Sequence, residues 1–197
     1  MIEYVSGRLA ELTPTTAIVD VQGLGYEVLI SLNTYAALQG KAEARLWTSE
    51  QIREDAHLLF GFATREERAL FGLLVSVNGV GPQTARTVLS AFTPQELAGI
   101  IQSEDAQTLK RVKGIGPKAA QRIVLELKDK VQVTGQGSQV TGSSSRSHDS
   151  AAVREAVGAL TTLGFAPAAS QKVVRGLAEK SPELTSEQLI KQALKLL

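Results

Sequence analysis

VNGVGPQTA at Val77–Ala85 and VKGIGPKAA at Val112–Ala120 share the pattern Val-x-Gly-x-Gly-Pro-x-x-Ala and stand 35 residues apart. Each copy lies between stretches of helical period: Leu70, Leu73, Leu74 and Val77 precede the first, Ala85, Val88, Leu89 and Phe92 follow it, and Leu109 with Val112 leads into the second. A helix therefore ends at Val77 or Val112, the chain turns through Gly-x-Gly, and Pro82 or Pro117 opens the next helix at the position where proline is favoured. Glycines permit positive backbone angles and hold no side chain against a ligand. The N–H groups of the new helix point outward at the positive end of its dipole. That geometry suits a phosphate. A single Gly-x-Gly-Pro is read as a tight turn. Two copies at fixed spacing, with Val88 and Ile123 also in step, point to a tandem unit with two phosphate contacts on one duplex.

The charges around the two copies differ. Lys118 and Arg122 are four apart on one face of the second helix, beside the Gly114 and Gly116 turn, and Lys110, Arg111 and Lys113 stand just before it. In the first copy Gln83 takes the place of Lys118, and the nearest cation after the Gly79 and Gly81 turn is Arg86, one helical turn on. The first copy is expected to bind less strongly. The candidate DNA-binding set is Gly79, Gly81, Gln83, Thr84, Arg86, Lys113, Gly114, Gly116, Lys118 and Arg122. Backbone phosphates are alike in every sequence, so recognition is expected to follow shape and not base identity.

Moving outward, residues 1–63 alternate with period two. Ala17, Val19 and Val21 form one run and Tyr26, Val28, Ile30 and Leu32 another, with Gln22–Gly25 as the turn between them. Further runs at Ala44–Gln51 and Ala56–Phe62 flank Ile52–Asp55, and a short helical piece falls near Thr34–Leu38. About five short strands predict a small barrel, with Tyr4, Tyr26, Tyr35, Trp47, Phe60 and Phe62 assigned to its core. Residues 64–130 are expected to be all helix. Val131–Ser150 is Gly, Ser, Thr and Gln-rich without leucine or aromatic residues, and is expected to be a flexible linker spanning about 25 Å. Residues 151–197 carry three helices: Ala152–Leu163 stopped by Gly164, a second opened by Pro167 and running through Ala178, and a third begun by a Thr185/Gln188 capping box and ending at Leu197.

The hydrophobic share of 43% is enough for folded cores and excludes a wholly disordered chain. Four Lys/Arg stand against eight Asp/Glu in residues 1–64, but ten against seven in residues 65–130, so the basic excess falls on the duplicated segment. The sequence has no cysteine and only His57 and His148, which removes thiolate metal sites and cysteine nucleophiles. No apolar run reaches membrane length, and the start MIEYVSGRLAEL lacks the regions of a signal peptide, so a cytoplasmic location is expected. No G-x-x-x-x-G-K-[ST] stretch is present. No ATP-hydrolysing phosphate loop is expected, nor any cofactor.

MIEYVSGRL, GLGYEV, EDAHLLFGF, the two hairpins and the terminal ALTTLGF together resemble the RuvA family, the Holliday junction-binding subunits of the bacterial branch-migration complex. The resemblance implies an α+β multidomain chain. An N-terminal OB-fold barrel (1–63) would be followed by a tandem helix-hairpin-helix domain (64–130), the linker (131–150) and a mobile UBA-like three-helix bundle (151–197). It also implies a non-catalytic, DNA-repair role as a homotetramer, sometimes two tetramers face to face, that holds a four-way junction open. Its implied partners are the RuvB hexameric ATPase and the RuvC resolvase.

By the same resemblance Glu54 and Asp55 are an acidic pin, and Leu160, Leu163 and Phe165 are candidates for meeting the motor. From the residues alone, IREDA between two strands reads as a solvated hairpin tip, and the three apolar residues equally as bundle core. Two alternatives stand beside this. One is an accessory factor of a DNA repair nuclease or ligase, with Glu54 and Asp55 on Mg²⁺. The other is a single-strand-binding OB protein.

Overall fold

A computed structural model describes residues 1–134, 148–181 and 183–197. The chain divides into two compact units, Met1–Gln139 and Val140–Leu197.

The first unit begins with strands β1 (Tyr4–Leu12), β2 (Thr16–Val21) and β3 (Leu24–Ile30), helix α1 (Leu32–Leu38), and strands β4 (Glu43–Ile52) and β5 (His57–Phe62). They close in the order β1-β2-β3-β5-β4, antiparallel throughout except for the β3–β5 pair. Alternation decides what faces inward: Val5, Ala17, Val19, Val28, Ile30, Ala44 and Leu46 are buried. The same alternation corrects the expectation for two aromatics. Tyr4 and Trp47 are cross-strand partners one step out of phase with Val5 and Leu46, so they lie towards the outer face, edge to face at 5.6 Å. Arg45 lies 5.0 Å over the first ring and Arg65 4.1 Å over the second, and Tyr4 is 48% exposed.

Leu32, expected to continue a strand, instead opens α1. Ser31 caps that helix by accepting from the Thr34 N–H at 3.0 Å, which ends the extended run one residue earlier.

Among the described residues, five helices complete the unit: α2 (Arg65–Ser76), α3 (Pro82–Ala91), α4 (Pro94–Gln102), α5 (Ala106–Leu109) and α6 (Pro117–Thr134). Thr64 caps α2, and a Thr93/Glu96 capping box with Pro94 starts α4. One apolar cluster joins all five helices with Phe60 and Phe62 of β5, whose rings lie 5.0 and 4.9 Å from that of Phe71. Helix α6 runs to Thr134, past the expected linker boundary, because Val131 is 1% exposed and belongs to this core. Helix α7 begins at His148, and the rest of the expected linker, 135–147, lies outside the described residues.

Barrel and helices meet through a buried polar cluster. The Glu67 carboxylate accepts from the hydroxyls of Ser31 and Thr34, the latter at 2.7 Å, and Thr34 Oγ1 accepts from the Ala63 N–H at 3.0 Å. Asn33 Nδ2 donates to the carbonyls of Leu89 and Phe92 at the end of α3, at 2.6 and 2.9 Å, and the Leu32 N–H donates to Ser90 Oγ. Arg86 Nη1 donates to the Thr15 carbonyl on the β1–β2 turn at 3.2 Å.

The second unit is α7 (His148–Thr162), α8 (Pro167–Lys180) and α9 (Ser186–Ala193) around Ala156, Leu160, Val174, Leu189 and Ala193. Gly164, at φ +97°, stops α7, with the Phe165 N–H returning to the Leu160 carbonyl at 3.1 Å. Thr185 and Gln188 form the expected capping box, while α9 ends at Ala193, short of the expected Leu197.

Burial raises the Glu67 carboxyl above its ordinary range, against the pull of its Ser31, Thr34 and Ala63 donors. A raised folded-state value stabilises fully below the ordinary carboxylate range, and that contribution is lost as pH rises through the raised value. Glu67→Gln keeps an acceptor and has no proton to lose. Its melting temperature relative to wild type should therefore climb between pH 4 and pH 8. Glu67→Ala strands two hydroxyls and should cost about 2–4 kcal/mol at either pH, read by chemical denaturation.

Candidate nucleic-acid interface

The two copies of the nonapeptide fold alike, bond for bond. The Val77 N–H closes α2 on the Leu74 carbonyl at 3.1 Å, and the Val112 N–H closes α5 on Leu109 at 3.1 Å. The turns then return Val80 N–H to Val77 and Ile115 N–H to Val112, both at 3.0 Å. Gly79 and Gly114 sit at φ +92° and +93°, which a residue with a Cβ adopts only under strain. Gly81 and Gly116 accept the first bonds of α3 and α6 from Ala85 and Ala120, each at 2.9 Å. Val77, Val80, Val112 and Ile115 are buried beneath the turns, and the four glycines are exposed above them. Apolar anchors fix the loop from below, so the first-turn N–H groups of α3 and α6 face outward at the dipole's positive end.

The hairpins are also braced against each other. A Cβ placed on Gly114 would lie 3.4 Å from Thr84 Oγ1, so the start of α3 rests on the second turn. Arg122 Nη1, on α6, points to the Asn78 carbonyl of the first turn at 3.4 Å. Sequence spacing placed Arg122 beside its own turn and gave no sign of this crossing.

Among the other cations, Lys113 and Lys118 are exposed at the second turn, and Gln83 is exposed at the first. Arg86 is half-buried and occupied by the Thr15 carbonyl, and burial lowers its guanidinium below the ordinary value without removing its charge.

Glu54 and Asp55 stand exposed at the tip between β4 and β5, where the Arg53 N–H closes on the Ala56 carbonyl at 2.8 Å. Below the tip Ile52 pairs with His57 and is 71% exposed. His57 Nε2 lies 3.1 Å from Glu50 Oε1, and the Ile2 N–H, bonding at 2.8 Å, is the main reason the Glu50 carboxyl falls below its ordinary range. Among the described residues no group of three or more His, Cys, Asp or Glu is placed to hold a metal ion.

Residues 1–61 match the family model described as RuvA N terminal domain, 71–129 the SAM-like Helix-hairpin-helix tandem, and 151–197 RuvA, C-terminal domain. Curated relatives named Holliday junction branch migration complex subunit RuvA are 51% identical in Bacteroides thetaiotaomicron, 51% in Parabacteroides distasonis and 46% in Porphyromonas gingivalis, each over 100% of both chains. The chain belongs to the RuvA family.

In this RuvA-family chain the RuvA C-terminal match coincides with the second unit, and there the three apolar candidates separate. Leu160 is wholly buried in the bundle core, so it cannot itself meet a partner while the bundle stays folded. Phe165 is partly buried against the same core, and Leu163 is 61% exposed. Gly164 ends the helix just after Leu163 and leaves that residue outside the core. Among the described residues no helix is long and apolar enough to cross a membrane.

The positive φ of both turn glycines predicts matched effects. Gly79→Ala and Gly114→Ala should each cost about 1–2 kcal/mol from backbone strain. A methyl on Gly114 would meet Thr84 only at ordinary contact distance and adds no further penalty. Equilibrium unfolding of the two variants checks that their costs agree.

Proposed function

We propose that this chain binds four-way DNA junctions by shape, without regard to base sequence, as the DNA-holding subunit of a branch-migration complex. The observation that carries this reading is the duplicated hairpin, whose two copies agree in glycine φ and in every turn hydrogen bond. Two identical anion cradles, cross-braced in one rigid core, suit two phosphates of a regular backbone. The relatives' name supports the junction as the ligand. In this reading the turns and Lys113, Lys118 and Arg122 hold phosphates of the duplex arms, while Arg86 fixes α3 to the barrel.

The finer picture is a homotetramer, or two face to face, with Glu54 and Asp55 at its centre. Carboxylates near a crossover repel phosphates by about a few kcal/mol where water is partly excluded, which keeps the separated strands apart. The chain is proposed to have no catalysis of its own. Branch migration is driven by the RuvB ATPase, engaged through residues 151–197 with Leu163 as the exposed apolar contact, and RuvC acts on the opened junction. The working domains are the barrel of residues 1–63, the helices from 64 to the end of α6 at Thr134, and the bundle matched at 151–197, and the setting is cytoplasmic.

Electrophoretic mobility of a synthetic four-way junction against its linear arms tests the core of this. The junction should bind far more tightly, with affinity falling steeply as salt rises. Equal affinity at matched salt would overturn it. Glu54→Gln with Asp55→Asn should tighten duplex binding more than junction binding and so lower the ratio between them. An unchanged ratio would return the tip to a solvated turn. A chain ending at residue 134 should still bind junctions yet fail to stimulate the motor's ATPase. Normal stimulation would remove residues 151–197 from that role.

A further inference from the structure

The two hairpins match in backbone but not in charge. In the repeat Gln83 corresponds to Lys118, so the first turn lacks the lysine of the second. The nearest cation along its own helix, Arg86, is half-buried and bonded to the Thr15 carbonyl of the barrel. Arg122 crosses over from α6, and its Nη1 lies 3.4 Å from the carbonyl of Asn78, the residue before Gly79. The exchange is not mutual. The position equivalent to Arg122 in the first copy is Thr87, whose hydroxyl turns back to the Gln83 carbonyl of its own helix at 2.9 Å. The second turn has Lys113 and Lys118, both exposed, and needs no cation from α3.

We propose that Arg122 supplies the phosphate-binding cation of the first hairpin, so that one helix, α6, charges both turns. The assignment rests on reading the hairpins as phosphate cradles and adds which side chain serves which. A guanidinium carries five N–H donors. One directed at the Asn78 carbonyl leaves others in a planar fork that suits a phosphate on the same turn. The carbonyl also limits where the group can sit before DNA arrives, which reduces the ordering cost of the contact. Contact between Thr84 and Gly114 keeps the turns close enough for one side chain to reach across. The first hairpin is then not the weaker copy its own sequence suggests, and the two phosphate contacts are coupled through a single helix.

A charge-transplant cycle in the full chain tests this, using anisotropy of a labelled four-way junction across a salt series. R122A should weaken binding at least about tenfold and lower the salt slope by about 0.9 for each subunit that holds the junction, the value for one lost phosphate contact per subunit. R122Q, which keeps most of the aliphatic stem, should lose as much, and melting temperatures close to wild type would exclude misfolding. Lysine at position 83 stands to the first turn as Lys118 stands to the second. Q83K should therefore restore about tenfold in the R122A background, and gain about threefold or less in wild type and in K118A. An equal gain in all three backgrounds, or no loss in R122A, would overturn the assignment. If K118A also binds the junction as wild type does, the phosphate-cradle reading itself fails, a result distinct from failure of the Arg122 assignment alone.

Discussion

A carboxyl buried between a barrel and a helical domain holds the first unit in one shape. Glu67 is 3% exposed, and it is accommodated because Ser31 and Thr34 turn their hydroxyls onto it. Those residues also cap and begin α1, so the same groups that start a barrel helix fix the position of α2. Asn33 extends the joint by taking two carbonyls at the end of α3. A purely apolar joint would slide, since dispersion contacts have little directionality, whereas hydrogen bonds to a buried carboxyl allow one arrangement. The acidic tip belongs to the barrel and the glycine turns to the helices. The placement of the acidic tip relative to the glycine turns therefore depends on this joint.

Within the helical domain the constraint passes from side chains to backbone. Gly79 and Gly114 take the same positive φ because each must reverse the chain in three residues between two helices that pack on one core. Val77, Val80, Val112 and Ile115 pin the turns from inside, leaving main-chain donors to face solvent. Main-chain donors presented in this way suit a repeating phosphate without regard to base sequence. The cations beside them divide unequally between the copies. Arg86 strengthens the barrel joint, and Arg122 reaches the other turn.

The second unit follows a different economy of size. Its core is five buried residues, Ala156, Leu160, Val174, Leu189 and Ala193, with partly buried neighbours such as Phe165 and Leu177 around them. A bundle this small depends on its helix ends, and Gly164, Pro167 and the Thr185/Gln188 box define all three helices in its sequence. Leu163, left outside the core by the stop at Gly164, is 61% exposed.

Local chemistry was legible in the sequence wherever the cause spans a few residues. The paired turns, the prolines that open α3 and α6, the Thr185 capping box and the shared phase of Val28 with Ile30 and of Ala17 with Val19 all follow from φ preference, missing N–H groups or period-two alternation. The family resemblance was legible for the same reason, because those short signals recur in fixed order. What depends on neighbours distant in sequence was not. Tyr4 and Trp47 fall out of phase with Val5 and Leu46, and what only the tertiary structure decided is that they meet across β1 and β4 with Arg45 and Arg65 over their rings. Leu160 and Leu163 are chemically identical, and only packing against α8 and α9 separates core from surface. A guanidinium's reach spans several residues in any direction, so tertiary contacts alone decided that Arg86 holds the barrel and Arg122 the opposite hairpin.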